Sequence, residues 1–410
     1  MGLFDFFRRP PTRDAFAQRV LQQIDARKLA ADCRYDSAQF RIVAGGVDGM
    51  IFNLDNAYRD YCAAPRQPRD DVMQRYLSVY SPPGVPSSFA DARASLMPVL
   101  RSRQQGDYLR LLAQSEPQRT AFVTASQDFS DDAVIMLAYD TEENMATIGQ
   151  ATLAQWGVSF EQALAAAMDN LRDRTAQRFV ALGNGVLMGE WNDAYDSSRL
   201  LLPDLLYRAC QGGEPLAMVP TRGRLLLASS NNVAGQLAMV ALADQLARDE
   251  GRHVSTAMYG VQQDGAQQGK AVACQPRDAG VAAALRRHRT TVGADLYNQQ
   301  KAEWERLNAG TGEDVFVASC MLVERQAGER VISVSSWARD VHTLLPRTDV
   351  VALEVRDEHG ERCGSKMLAW DDAQAIGGGL MEKIDCYPVR YRVRASPDPQ
   401  SVAAAPDCEL

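Results

Sequence analysis

The chain has 410 residues, is 46% hydrophobic and 23% charged, and carries a formal net charge of -8. Those values describe a globular protein long enough for two or three domains, with a core that needs no staples. The acidic balance argues against a general nucleic-acid surface, which would need excess positive charge against the phosphates. Basic residues are almost all Arg, with Lys only at Lys28, Lys270, Lys301, Lys366 and Lys383. With the high Ala content this reads as compositional bias, so a group of arginines in sequence carries less weight than usual. The eight cysteines (Cys33, Cys62, Cys210, Cys274, Cys320, Cys363, Cys386, Cys408) include no CxxC pair. That pattern fits a reducing cytoplasm better than a disulfide framework. No apolar run approaches the roughly 20 residues that span a bilayer.

The start, MGLFDFFRRPP, forms a segment of its own (1–11). Phe4, Phe6 and Phe7 beside Arg8 and Arg9 could touch a membrane surface, although docking on the body is the expected role. It is too short for a secretory leader, and Phe6 stands where myristoylation wants Ser or Thr.

A first α+β unit is expected over 12–150. Thr12 caps a helix to about Leu29 whose stripe is Phe16, Val20 and Ile24. Two strands follow, about Gln39–Ala44 and Met50–Leu54, around a glycine turn. Asp55 or Asn56 then caps a helix carrying Tyr58 and Tyr61. Arg69–Tyr80 is amphipathic, and the prolines of 81–88 stop it. Ala94–Arg101 and Tyr108–Leu112 are ambiguous. Ala121–Ser126, Ala133–Tyr139 and the weaker Ala146–Gly149 read as strands.

A second α+β unit is expected over 151–262. Thr152–Gln155 and Ser159–Gln162 both match a capping box, the second opening a helix to about Arg174. The stretch Phe179–Leu246 then reads strand, strand, helix (Ser197–Cys210), strand (Leu216–Val219), strand (Arg224–Ala228), helix (Val233–Arg248). Gly- and Gln-rich sequence makes 263–312 a linker and a connecting helix, Asp278–Asn308. A β-rich C-terminal module spans 313–395, with strands Val315–Val323, Val331–Trp337, Val350–Val355, Ser365–Trp370 and Val389–Val393. Pro and Ala content makes 396–410 a disordered tail. The fold class is therefore α+β, with antiparallel sheets layered on amphipathic helices and a small β-rich C-terminal module.

Ile51–Tyr58 (IFNLDNAY), Met97–Arg101, Trp156–Ser159, Asp193–Leu202 and Val219–Leu227 carry a resemblance. Through them the chain from about 12 to 260 resembles the YtpQ-like family, domain of unknown function 1444. The resemblance implies an α+β fold and a bacterial origin, and it brings no catalytic residues. Residues beyond about 260 look like an added C-terminal module.

The motifs exclude more than they assign. Gly183, Gly185 and Gly189 are spaced GxGxxxG and precede a strand, whereas a phosphate loop needs a helix N-terminus; a hairpin turn is expected. No GxxxxGK[ST], HExxH or GxSxG occurs. The four histidines and scattered cysteines give no metal spacing, so no metal or cofactor is expected. Asp349, Glu354 and Arg356 suit an ordinary strand better than a nuclease strand, because Arg does not serve as a base. Cys210 and Cys320 lie in apolar runs and read as inert thiols.

The best polar candidates sit in the turns of Phe179–Leu246. Asp193 and Asp196, near Tyr195, could act as acid and base or bind a cation; capping the next helix is the plainer role. Arg222 and Arg224 flank Gly223, and Asn231 and Asn232 precede the last helix. These seven make a binding patch only if the fold brings the turns together. The functional expectation is a non-catalytic protein-binding or adaptor module whose partner is another protein. The alternatives are a carboxylate-dependent hydrolase or transferase at Asp193 and Asp196, or a peripheral membrane factor.

Overall fold

The computed structural model describes residues 11–38, 40–45, 51–65, 69–80, 84–115, 123–141, 145–210, 213–262, 269–309, 314–325, 330–356 and 362–408. The segment carrying Phe4, Phe6 and Phe7 lies outside them. The class is α+β.

The first layer is built by α1 (Arg13–Ala26), β1 (Arg34–Asp36), β2 (Arg41–Val43), β3 (Ile51–Asn53), α2 (Asp55–Ala63) and α3 (Arg69–Leu77). Thr12 caps α1 by accepting the Ala15 N–H at 3.2 Å. The three strands form an antiparallel meander, and Phe16, Ile42, Phe52, Leu54, Tyr61 and Leu77 close one core beneath it. The cap expected at Asp55 or Asn56 is absent. Leu54 holds the N-cap position without a side-chain bond, and Asp55 pairs with Arg13 instead.

The middle of the chain begins with α4 (Phe89–Ala92), β4 (Leu96–Ser102), α5 (Arg103–Ser115), β5 (Ser126–Asp128), β6 (Ala133–Asp140) and β7 (Met145–Thr147). The ambiguous run at 94–101 is a buried strand, β4, paired along its whole length with β6. A continuous apolar run buried on both faces has no period by which to tell strand from helix. Next come α6 (Gln150–Trp156) and α7 (Phe160–Asp173). The Ser159–Gln162 box forms with both of its bonds, whereas Thr152–Gln155 lies inside α6, already helical from Gln150.

Then follow β8 (Phe179–Gly183), β9 (Val186–Gly189), α8 (Pro203–Ala209), β10 (Pro215–Met218), β11 (Leu226–Ser229), α9 (Val233–Glu250), β12 (Met258–Gln262), β13 (Lys270–Cys274) and α10 (Ala279–Ala309). The strands form one antiparallel sheet in the order β13-β12-β10-β11-β9-β8. The GNG turn joins β8 to β9 as a hairpin with Gly183, Asn184 and Gly185 all at positive φ. The helix expected over 197–210 is two pieces. Residues Ser197–Leu201 are 3-10, and Pro203, which lacks an N–H, restarts the chain as α8.

One core joins Met97, Leu100 and Met136 to Leu171, Leu200, Leu225 and Tyr259, so the boundary expected at 150 runs through packed side chains. The Leu100 N–H donates to Ser198 Oγ at 3.0 Å inside it. The 263–312 stretch is more than a connector: β13 is an edge strand, and α10 packs against both α9 and α5.

The C-terminal part contains β14 (Phe316–Val317), β15 (Met321–Arg325), β16 (Arg330–Trp337), β17 (Thr343–Pro346), β18 (Val350–Arg356), β19 (Arg362–Ala369), α11 (Trp370–Gly377), β20 (Met381–Lys383), β21 (Arg390–Val393) and α12 (Pro399–Ala404). Two four-stranded sheets result, β14-β17-β21-β20 and β15-β16-β18-β19. The β14/β17 and β16/β18 pairs are parallel. The tail expected to be disordered is ordered through 408. Asp398 caps α12 by accepting the Ser401 N–H at 2.9 Å, and Val402 is buried with Trp337 and Trp370. One anchored valine outweighs the polar composition around it.

Candidate functional site

The seven turn residues do not form one patch: the Ser197 N–H donates to the Arg222 carbonyl at 3.3 Å and joins two of the turns, while the side chains find other partners. Asp193 is claimed by Arg199, a fully buried arginine on the 3-10 turn. The guanidinium reaches both carboxylate oxygens, at 2.8 and 2.6 Å, and lies 4.4 Å over the Trp191 ring. Asp193 also accepts the Tyr195 N–H at 3.1 Å. Burial opposes its charge, but the bonds and charge of Arg199 prevail and hold its pKa below the usual carboxylate value. Asp196 is buried, accepts the Trp191 N–H at 3.2 Å and caps nothing; burial raises its pKa. Tyr195 is buried beside Asp140 and Arg174, and burial pushes its phenol above its ordinary value. Capping, the plainer role expected of both acids, is replaced by a buried ion pair and a loop-closing bond.

Arg222 and Arg224 precede β11, whereas Asn231 and Asn232 follow it. Four strand residues separate them by about 13 Å at the usual rise. Arg224 bonds Glu250 Oε1 through Nε at 2.6 Å, and Thr221 Oγ1 donates to Glu250 Oε2 at 2.7 Å. Asn232 caps α9 through the Gly235 N–H (2.9 Å) and donates to the Asn184 carbonyl of the hairpin (2.7 Å). The Asn231 N–H donates to Ser229 Oγ at 3.2 Å. Other expected chemistries also resolve into structure. Asp349 accepts the Ser333 N–H and hydroxyl at 2.8 and 2.7 Å. Burial pushes the Cys320 thiol up to about 12 and raises that of Cys210. Among the described residues no three His, Cys, Asp or Glu side chains gather as metal ligands.

Arg222 alone of the seven faces a cleft. The cleft has a volume of about 790 Å³ and is walled by three regions distant in sequence. Asn53, Asn56 and Arg59 come from the first layer; Gln105, Arg222 and His253 come from the middle. Thr291, Asp295 and Gln299 of α10 form the far wall, joined by Tyr387. A volume of this size suits a small-molecule site. Arg222 donates to Gln105 Oε1 at 2.6 Å, and burial followed by the charge of Arg252 lowers its pKa to about 10. Gly251, at φ +62°, lets the chain turn where Arg59 presses against it; a Cβ there would meet the guanidinium. Arg59 donates to the Glu250 carbonyl at 3.1 Å and to Asn56 at 3.1 Å.

His253 had no role in the sequence beyond its metal spacing. Both ring nitrogens are buried and without a hydrogen-bond partner among the described residues. Burial pushes its pKa down to about 4, opposed by the charge of Asp132 and aided by His288. The unfolded chain binds that proton near 6.5. Between these two values the unfolded state is protonated and the native state is not, so stability rises with pH there. The contribution is complete above pH 6.5 and is lost as pH falls toward about 4, to a total of roughly 3 kcal/mol. His253→Gln is expected to flatten the acid limb of melting temperature against pH in that window. Superimposable profiles for wild type and variant would remove His253 as the cause.

The nearest sequence signal for this cleft was the run Gly251-Arg252-His253 at the end of α9. By itself that run has the form of an ordinary helix stop. Among the described residues no helix is long and apolar enough to cross a membrane. Comparison of the chain with family models, with curated proteins and with solved structures finds no match.

Proposed function

We propose that the chain is a non-catalytic, cytoplasmic protein-binding module of the adaptor kind, and that β8 is its binding edge. The observation that carries this reading is the chemistry of that edge. β8 ends the six-stranded sheet, and no described strand pairs its outer side. Its sequence, FVALG, holds no charge and no proline, and Val180 and Leu182 are 37% and 44% exposed. Proteins commonly protect such edges with Lys, Pro or a bulge near the tip; here a bulge lies only between Ala181 and Gly183. An open apolar edge suits an extended segment of a partner, which adds main-chain bonds and sets alternate side chains beside Val180 and Leu182.

Register says which groups point outward. The Glu190 N–H donates to the Arg178 carbonyl at 3.0 Å, so Arg178 and Val180 turn their main-chain groups toward β9. Phe179 and Ala181 then turn theirs away. Ala181→Pro removes an outward N–H without removing a ladder bond, and Leu182→Lys adds an edge charge. Proteins captured from native extract by the wild-type chain should be lost with both variants at unchanged melting temperature. Capture sets that do not change would sink the β8 edge, as would a wild-type chain that retains nothing over a control.

Asp193 and Asp196 do not line the cleft, and Asp193 is held by Arg199 rather than placed beside Arg222 or Arg224. The hydrolase alternative needed that placement. The resemblance to the YtpQ-like family belongs to the same proposal and adds no activity to it.

A further inference from the structure

One wall of the central cleft gathers arginines that no described carboxylate meets. Arg101 is buried at the end of β4, close behind Arg222. Its guanidinium donates to the Leu100 carbonyl at 2.9 Å. Arg222 has the neutral amide of Gln105, and Arg59 has a carbonyl and an amide. Among the described residues no carboxylate reaches Arg59, Arg101 or Arg222 at ion-pair distance. Arg252, the fourth arginine of the group, has Asp60 at 3.7 Å and the Tyr76 hydroxyl. Glu250, the acid nearest in sequence, is turned to Arg224 and Thr221. Of the other acids that line the cleft, Asp244 is bonded to Arg248 and to His288, Asp107 to Arg110, Glu303 to Arg306 and Asp55 to Arg13, and Asp295 on the far wall is in no described ion pair.

Buried cations are costly unless an anion or a full set of acceptors compensates them. Three guanidinium groups without a carboxylate, beside a cavity, mark a place where an anion lowers the free energy. Guanidinium geometry favours oxygen pairs, as on a carboxylate or a phosphate. The charge count separates those two. A carboxylate offsets one of the three positive charges, and a phosphate monoester dianion offsets two. His253 lines the same wall, but its ring nitrogens are shut off from the cleft, so contact with an anion falls to the arginines. The cleft is larger than one phosphate, and Asn53, Asn56, Gln104 and Gln299 give its remainder amide groups suited to hydroxyls.

The geometry points to a binding site for a small phosphate monoester, its phosphate held by Arg222 and Arg59 with Arg101 behind, and its polar body toward α10. This site is independent of the β8 edge, and either can fail without the other.

Calorimetric titration of the full chain with inorganic phosphate, β-glycerophosphate and acetate at constant ionic strength tests it. Phosphate should bind one to one and raise the melting temperature, β-glycerophosphate should bind at least as tightly, and acetate should bind about tenfold more weakly or worse. Arg222→Gln should weaken phosphate about tenfold or more while leaving the unliganded melting temperature unchanged or higher, because it removes an uncompensated buried charge. Arg59→Gln, on the cleft rim, gives a second variant with the same expected direction. Saturable binding absent up to about 10 mM phosphate overturns the site. So do equal affinities for acetate and phosphate, or full affinity in both variants. A phosphate-bound chain that binds β-glycerophosphate more weakly overturns the monoester assignment.

Discussion

Replacing Arg390 by Leu is expected to lower the unfolding free energy by about 3–5 kcal/mol, measured by urea denaturation followed through tryptophan fluorescence. Arg390 lies on β21 and is fully buried. Its guanidinium donates to Gln300 Oε1 (2.8 Å) and to the carbonyls of Ala318 (2.9 Å), Leu344 (3.0 Å) and Tyr297 (2.9 Å). These acceptors come from α10, from the end of β14 and from β17, so one side chain fastens the long helix to the C-terminal sheet. Burial lowers its pKa to about 10, which leaves it charged at neutral pH. The leucine variant strands three carbonyls and an amide, each worth about 1–3 kcal/mol if water does not reach it. Arg390→Lys should recover only part of the loss, because an ammonium has three donors and cannot reproduce the planar fork. A loss under about 1 kcal/mol for Arg390→Leu would mean that water or neighbouring groups replace the fork.

The second large effect is an asymmetry between the partners of one ion pair. Arg199 is fully buried, whereas the Asp193 side chain is 36% exposed. Asp193→Ala leaves a buried cation without its anion and should cost about 3–5 kcal/mol. Arg199→Leu leaves a carboxylate that water can reach and puts an apolar group under Trp191, so it should cost less. The double variant should lie well below the sum of the singles. Equal single losses, or strict additivity, would show that the pair is not the source of the stability. The same pair sets an acid limit. The pKa of Asp193 is depressed in the folded chain, so its contribution is present above the unfolded value near 3.8 and is lost as pH falls below it.

Signals between residues close in sequence were legible only in part: the cap expected at Asp55 or Asn56 and the Thr152–Gln155 box did not form. Thr12, the Ser159–Gln162 box, the Gly183-Asn184-Gly185 hairpin and Asn232 before α9 act within a few residues of themselves. The paired strands β10 and β11 followed from periodicity. Where two local signals competed, the weaker reading failed. Pro203 divides a helix that its apolar pattern would continue, and β17 and β20 are too short to show a period.

The amino-acid sequence by itself determined the α+β class, most of the helices and the apolar stripes, because these depend on spacings of a few residues along one element. Only the tertiary structure decided which charges meet. Asp193 and Arg222 look alike as turn residues, yet one is neutralised by Arg199 and the other faces the cleft beside Arg59 and His253. Those cleft residues come from α2, the turn before β11 and the chain after α9. No window of sequence contains them together, and burial, which gives their charges consequence, is a property of the packed layers rather than of any residue.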